Sequence, residues 1–172
     1  MQKNILITGK PKSGKSTLLR KIINDISNKV GFVTNEMLDQ GKRVGFEIET
    51  NFGSRTVLSH VGFHTSHKVS KWFVDIKNLD SIIPEVSTFK SDDLLYLDEI
   101  GEMQLFSDKF KDLVLSYINS DNNFISVISS VYDDDFIRAL KQRDEITLVE
   151  LSLENRTEVE QFIVQLLKKI II

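Results

Sequence analysis

Cysteine is absent from the 172 residues, which removes any disulfide framework and any thiol–zinc site and makes a reducing compartment the default expectation. A dense block of Lys and Arg is also missing. The 22 basic residues against 25 acidic ones leave a net charge of −3, so a broad electrostatic footprint for nucleic acid or acidic lipid is not expected, although a local basic groove stays open. No apolar run approaches the ~20 residues needed to cross a bilayer, and the first strand starts almost at once, leaving no room for a secretory signal. A soluble, cytoplasmic protein is the expectation. No repeat, low-complexity tract or linker divides the chain, and a hydrophobic content of 41% suits one domain spanning 1–172 with a substantial core.

What is present begins with Gly9-Lys10-Pro11-Lys12-Ser13-Gly14-Lys15-Ser16, a complete GxxxxGK[ST] loop. The apolar run Ile5-Leu6-Ile7 precedes it, and Leu18, Leu19, Ile22, Ile23 and Ile26 follow at helical spacing, which is the strand–loop–helix setting that such a loop needs. Its glycines let successive N–H groups turn inward on phosphate oxygens, and the helix start adds its partial positive charge. Lys15 is expected on the β- and γ-phosphates and the Ser16 hydroxyl on Mg²⁺, with Thr17 completing the phosphate-binding set. These features point to a nucleoside triphosphate.

Downstream, Val30–Met37, Val44–Thr50 and Arg55–Val61 read as strands joined by turns, an antiparallel meander added to a parallel sheet. Residues 62–71 lack periodicity and are expected to form a mobile loop near the site. A helix over Ile76–Val86 is expected, disturbed at its end by Pro84. A helix capped by Ser107 buries Phe110, Val114, Leu115 and Ile118, and one opened by Asp133–Asp135 runs to Leu140. A last helix is striped by Val159, Phe162, Ile163, Leu166, Leu167 and Ile170. Further strands are expected at Leu94–Asp98, Phe124–Ser130 and Ile146–Leu151. Strands alternating with helices predict an α/β fold: a doubly wound, mainly parallel sheet of core order 5-1-4-3-2 with the inserted meander.

The run Leu94-Leu95-Tyr96-Leu97-Asp98-Glu99 delivers two acids at a strand end. Asp98 stands where a second acid must lie to hold Mg²⁺ beside Ser16. Glu99 is placed to orient or deprotonate a water attacking the γ-phosphate. That pair favours hydrolysis over phosphoryl transfer to an acceptor hydroxyl, which is the competing enzyme class (a nucleoside or polynucleotide kinase). A third reading is a non-enzymatic, nucleotide-dependent switch whose meander binds a protein partner that the sequence does not identify. No Asn-Lys-x-Asp guanine-reading motif occurs, so little base selectivity is expected, with ATP, GTP and other triphosphates as substrates.

With these pieces placed, the chain resembles the cancer-related nucleoside-triphosphatase family over nearly its whole length. The specific stretches are Gly31-Phe32-Val33-Thr34-Asn35-Glu36, Gly41–Phe46, Asp98-Glu99-Ile100-Gly101-Glu102-Met103-Gln104-Leu105-Phe106 and Glu154-Asn155-Arg156. The resemblance implies Mg²⁺-dependent hydrolysis of NTPs to NDP and phosphate with broad base tolerance. It also aligns Lys71-Trp72-Phe73-Val74-Asp75 with a basic–Tyr–x–Val–Asp segment, and Ser130 with a family threonine. Lys12 and Ser70 stand where glycine is usual, Tyr132 where proline is, and Gln104 where a glutamate is.

Several residues admit two readings at this point. Trp72 either stacks on a base or anchors its loop. Ser130 either senses the γ-phosphate or is an ordinary turn residue. Arg156 has the strongest claim among Arg43, Arg55, Arg138, Arg143 and Arg156 to act as an in-cis cation on the γ-phosphate, or it caps neighbouring carbonyls. His60, His64 and His67 lack cysteine or acidic partners nearby in sequence and read as solvated loop residues rather than metal ligands.

Overall fold

Three short apolar strands form the middle of the molecule, and chain order explains how they come together. The computed structural model describes residues 3–171, with side chains as far as Leu167. The elements are β1 (Asn4–Thr8), α1 (Lys15–Asn24), β2 (Lys29–Asp39), β3 (Lys42–Thr50), β4 (Arg55–His60), β5 (His67–Val69), β6 (Trp72–Val74), α2 (Ile76–Val86), β7 (Leu94–Ile100), α3 (Asp108–Asn119), β8 (Phe124–Ile128), α4 (Asp135–Lys141), β9 (Ile146–Glu150) and α5 (Arg156–Ile171), with a 3-10 turn at Gln104–Phe106.

They make a nine-stranded sheet of order β5-β6-β4-β3-β2-β7-β8-β1-β9. The run β9-β1-β8-β7-β2 pairs in parallel, and β2 to β6 continue it antiparallel. Strand side chains point alternately to opposite faces, and here both faces are apolar. Leu6, Leu95, Leu97, Phe124 and Ile128 join the core that includes Ile82, Val114 and Leu140 from α2, α3 and α4. Ile5, Ile7, Tyr96, Ile125 and Val127 join the second core with Leu18, Ile22, Val159 and Ile163 from α1 and α5. A sheet covered on both sides is read in sequence as unbroken apolar runs, and that is why β1, β7 and β8 carry them.

Local signals set the helix starts. The Asp75 side chain accepts from Asn78 N, Ser107 from Phe110 N and Asp134 from Ile137 N, each satisfying an orphan donor of the first turn. On α3 the buried face is Phe110, Leu113, Val114, Tyr117 and Ile118, while Leu115 is only half-buried. The Tyr117 hydroxyl donates to Val86 O at 2.5 Å, which settles the polar end of a ring that burial holds well above the ordinary phenol range. On α5, Val159, Ile163 and Leu167 recur every four residues and are buried. Phe162, expected on that stripe, falls one position away and is 44% exposed. The expected place of Ile170 on that stripe lies outside the described side chains. Among the described residues no helix is long and apolar enough to cross a membrane.

The segment 62–71 is more ordered than its composition suggests. His67–Val69 pairs antiparallel with Trp72–Val74, because Trp72 and Val74 are buried and pull the hairpin onto the sheet edge. The hairpin turn holds Ser70 at φ 54, a left-handed conformation that costs a residue with a Cβ about 1–2 kcal/mol. Ser70→Gly is therefore expected to raise stability by about 1 kcal/mol in urea unfolding. A loss of stability would mean that the serine side chain supports the turn.

Candidate active site

The carboxyl edge of the parallel strands is where the chemistry-bearing residues gather. Leu151 N donates to Thr8 O at 2.8 Å, drawing the end of β9 against the turn that leaves β1. A Cβ on Gly9 would lie 2.2 Å from the Leu151 carbonyl oxygen, and Gly9 sits at φ +144. Only glycine fits there. Ser13 N donates to Lys10 O and closes the turn. Lys12, standing where the resemblance has glycine, takes φ 65, so the left-handed backbone is kept although a side chain has been added. Lys10, Pro11 and Lys12 are exposed, whereas Ser13 is buried and its Oγ has no hydrogen-bond partner. Gly14, at φ 93, caps α1 with no side-chain hydrogen bond, which leaves the first N–H groups of that helix available to an anion.

Lys15 Nζ donates to Gly9 O at 2.8 Å and Lys10 O at 2.9 Å. Partial burial lowers its pKa, while the charges of Glu99 and Asp98 pull it back up. The Ser16 hydroxyl donates to Asp98 Oδ1 at 2.8 Å, joining the start of α1 to β7. Asp98 is 2% exposed, and its other carboxylate oxygen is buried without a hydrogen bond. Burial raises the Asp98 pKa, opposed by the Ser16 hydrogen bond and by the nearby Arg20. Glu99 is raised for the same first reason and then by the Asp98 charge, with Lys15 acting against both.

Arg20 is the residue that sequence reasoning missed. Its guanidinium is 3.7 Å from Asp98 Oδ2, an ion-pair distance rather than a hydrogen bond. It donates to Asn35 Oδ1 at 2.8 Å and to Thr34 O at 2.6 Å. Thr34 Oγ1 in turn donates to Asp98 O at 2.5 Å, and Asn35 Nδ2 to Glu49 Oε2 at 2.9 Å. A signal was available: Arg20 lies four residues after Ser16, one helical turn along the same face.

The remaining candidates separate cleanly. Arg156 is half-buried, and a Cβ on Gly14 would sit 3.5 Å from its Cζ, so its guanidinium lies beside the backbone of the loop at Gly14. Asn155 ties the chain just before α5 by accepting from Ser152 N and donating to Glu150 O. Ser130 Oγ donates to Gly9 O at 2.7 Å, which engages it with the loop backbone; Ser129, not Ser130, lines the cavity. Trp72 is only 9% exposed, meets Phe46 edge-on at 5.2 Å and has Lys71 over its ring at 4.7 Å. It is packed as an anchor, and Phe46 rather than Trp72 faces the cavity.

Of the other arginines, Arg43 pairs with Glu36, Arg55 with Glu47 and Glu49, Arg138 with Asp133 and Asp135, and Arg143 with Glu145. His60 accepts from Gly62 N, while His64 and His67 pack against Phe73 and Phe106. Among the described residues no group of three or more His, Cys, Asp or Glu side chains is arranged to hold a metal ion.

A family model described as NTPase matches residues 4–164. The chain belongs to this NTPase family. Among its relatives is the nucleoside-triphosphatase THEP1 of Thermotoga sp. (strain RQ2), 35% identical over 166 residues that cover 95% of each chain. The nucleoside-triphosphatase THEP1 of Methanocaldococcus jannaschii is 36% identical, over 97% of this chain and 96% of its own. The crystal structure of THEP1 from the hyperthermophile Aquifex aeolicus superposes with a TM-score of 0.83 at 29% identity, covering 95% of this chain and 98% of that one. The fold is also that of a human cancer-related nucleoside triphosphatase, with a TM-score of 0.81 at 23% identity over 97% and 98% of the two chains.

A buried carboxylate and a partly buried one side by side oppose stability when both are ionised. Because the folded state raises the Glu99 pKa, the ionised form is disfavoured on folding and Glu99 costs stability at neutral pH. Glu99→Gln is expected to melt at a higher temperature than the parent at pH 7. That difference should shrink as pH falls through the raised folded pKa and vanish below the ordinary glutamate value of about 4.3. Calorimetry across that range checks it; a variant less stable at pH 7 would contradict the burial argument.

Proposed function

We propose that this member of the NTPase family hydrolyses nucleoside 5′-triphosphates, ATP and GTP among them, to the diphosphate and phosphate, with Mg²⁺ and little discrimination among bases. The observation that carries the reading is the hydrogen bond from Ser16 to Asp98 at 2.8 Å, with Glu99 beside it and Lys15 of the loop near enough to act on the charge of both acids. The family supports the same class of reaction.

In this reading the triphosphate lies on the N–H groups of the loop and the uncapped start of α1. Its oxygens take the place of Gly9 O and Lys10 O as acceptors for Lys15, whose ammonium then compensates charge on the β- and γ-phosphates. Arg156, which has no carboxylate partner among the described residues, adds charge from the side of Gly14. The buried Asp98 Oδ2 without a hydrogen bond fits a hard cation, since a bound ion satisfies an otherwise orphaned oxygen. Ser16 and Asp98 would hold Mg²⁺, which when bound neutralises charge on phosphate oxygens.

Glu99 accepts a hydrogen bond from the attacking water, orients it and takes its proton. Its raised pKa makes it a stronger base than an ordinary carboxylate. Ser130 supports the reaction by holding the Gly9 carbonyl, and Trp72 by backing Phe46.

Free-phosphate release with and without Mg²⁺ tests the reading. Lys15→Ala is expected to abolish turnover and weaken triphosphate binding. Glu99→Gln should lower turnover by about 10²–10⁴ while leaving nucleotide affinity nearly unchanged, because the loop and Ser16–Asp98 remain. Asp98→Asn should weaken Mg²⁺ dependence and rate together. Near-parental hydrolysis by Glu99→Gln would remove the proposed base.

Rates for ATP and GTP are expected to agree within about tenfold, or ~1.4 kcal/mol, since the candidate contacts all address phosphates. Competition assays across the four common triphosphates measure this. A preference above a hundredfold would require directed contacts to the base.

A further inference from the structure

Hydrolysis needs space for one water beside the γ-phosphate, about 30 Å³, yet the cavity beside Glu99 measures about 540 Å³. It begins at Ser16, Asp98, Glu99 and Ser129 and runs away from the loop toward the meander. Lys12, Lys15 and Arg156 do not line it. It therefore extends beyond the terminal phosphate rather than along the body of the nucleotide. Its size is that of sites that enclose a small organic molecule.

The walls have a definite chemistry. Phe46, Leu58, Val69, Met103 and Tyr132 supply an apolar and aromatic surface. Gln104 lines the same space, is 3% exposed, and its amide makes no hydrogen bond among the described residues. The amide is open to the cavity, where it can hydrogen-bond an occupant beside the reacting position. The side-chain oxygens of Glu99 and Gln104 lie 2.7 and 3.2 Å from the point that a Gly101 Cβ would occupy. Where the resemblance has a glutamate, this chain thus presents a neutral group with both donor and acceptor capacity.

Charge narrows the occupant further. Glu36 is paired with Arg43, and Asp98 faces Arg20. Glu99 and Glu102 line the cavity with no ion pair among the described residues. Such a lining disfavours anionic occupants, which argues against nucleoside monophosphates and polynucleotide ends.

We infer that this cavity is an acceptor compartment: it takes a neutral, nucleoside-sized alcohol with a planar apolar body, and the protein transfers the γ-phosphoryl group to its hydroxyl in competition with water. This rests on the hydrolase reading and adds a second nucleophile to it. The hydroxyl oxygen forms the new O–P bond as the bond from Pγ to its bridging oxygen breaks. The hydroxyl proton passes to Glu99, and the nucleoside diphosphate leaves with the electron pair. Gln104 hydrogen-bonds the acceptor, and Phe46 and Tyr132 flank its planar part.

The test incubates the full chain with Mg-ATP labelled at the γ-position and millimolar adenosine, guanosine, cytidine or uridine. Label should appear in a nucleoside monophosphate, saturably in at least one case, with a matching fall in labelled free phosphate. Val69→Trp, which fills the cavity from its edge hairpin, should reduce transfer at least tenfold while phosphate release without nucleoside stays within twofold. Gln104→Leu, similar in volume but without the amide, should also cut transfer at least tenfold, which covers the case of a misfolded Val69→Trp as judged by its melting curve. Label found only in free phosphate with all four nucleosides would overturn the proposal, as would transfer unaffected by Gln104→Leu. Failure of the parent protein to release phosphate without nucleoside would instead overturn the hydrolase reading.

Discussion

Burial of both faces of the parallel strands is the constraint from which the site follows. With α1 and α5 on one side and α2, α3 and α4 on the other, polar side chains have little room along β1, β7 and β8. They are expelled to the carboxyl edge, where the strands end and the chain turns back. Ser16, Asp98 and Ser129 are far apart in sequence and adjacent in space because β1, β8 and β7 are neighbours in the sheet. The 2.8 Å bond between Ser16 and Asp98 is a product of that packing, and it places the acids opposite the loop.

The same edge stores unfavourable electrostatics. Asp98 and Glu99 are both pushed toward protonation by burial, and Lys15 toward deprotonation. A buried oxygen of Asp98 and the Ser13 hydroxyl have no hydrogen-bond partner. Left-handed backbone at Lys12 adds conformational strain. The charged groups at this edge therefore carry a cost that an occupant of suitable charge would relieve. The tertiary core offsets this at a distance: Tyr117, Phe110 and Phe124 are fully enclosed, and large buried aromatic rings contribute strongly to stability.

The meander acts as a wall. Its strands β2 and β3 carry the network Arg20–Asn35–Glu49, and Phe46 and Val69 close the far side of the cavity. Trp72 belongs to this wall through its contact with Phe46. A tryptophan in a segment that looks like a polar loop is ambiguous by itself; packing on a hairpin made it an anchor.

Much was legible before any coordinates. The loop from Gly9 to Ser16 could be read because its glycines answer a backbone requirement, seen in the 2.2 Å approach of Leu151 O to a Gly9 Cβ. The place of Asp98 and Glu99 beside the loop could be read because an apolar strand ending in acids delivers them to the sheet's carboxyl edge. Capping residues Ser107 and Asp134 declared their helices because such bonds are local. Arg20, Gln104 and the depth of the cavity could not be read in this way. Their significance depends on distances between elements: an arginine on a helix face is ordinary until Asp98 and Thr34 stand beside it. Gln104 is an ordinary amide until the fold sets it in the cavity wall near Glu99. The sequence by itself determined the backbone chemistry of the Gly9–Ser16 loop and the strand–helix alternation, since these arise from neighbouring residues. Only the tertiary structure decided which side chains share a cavity, because that depends on the order in which the strands lie side by side.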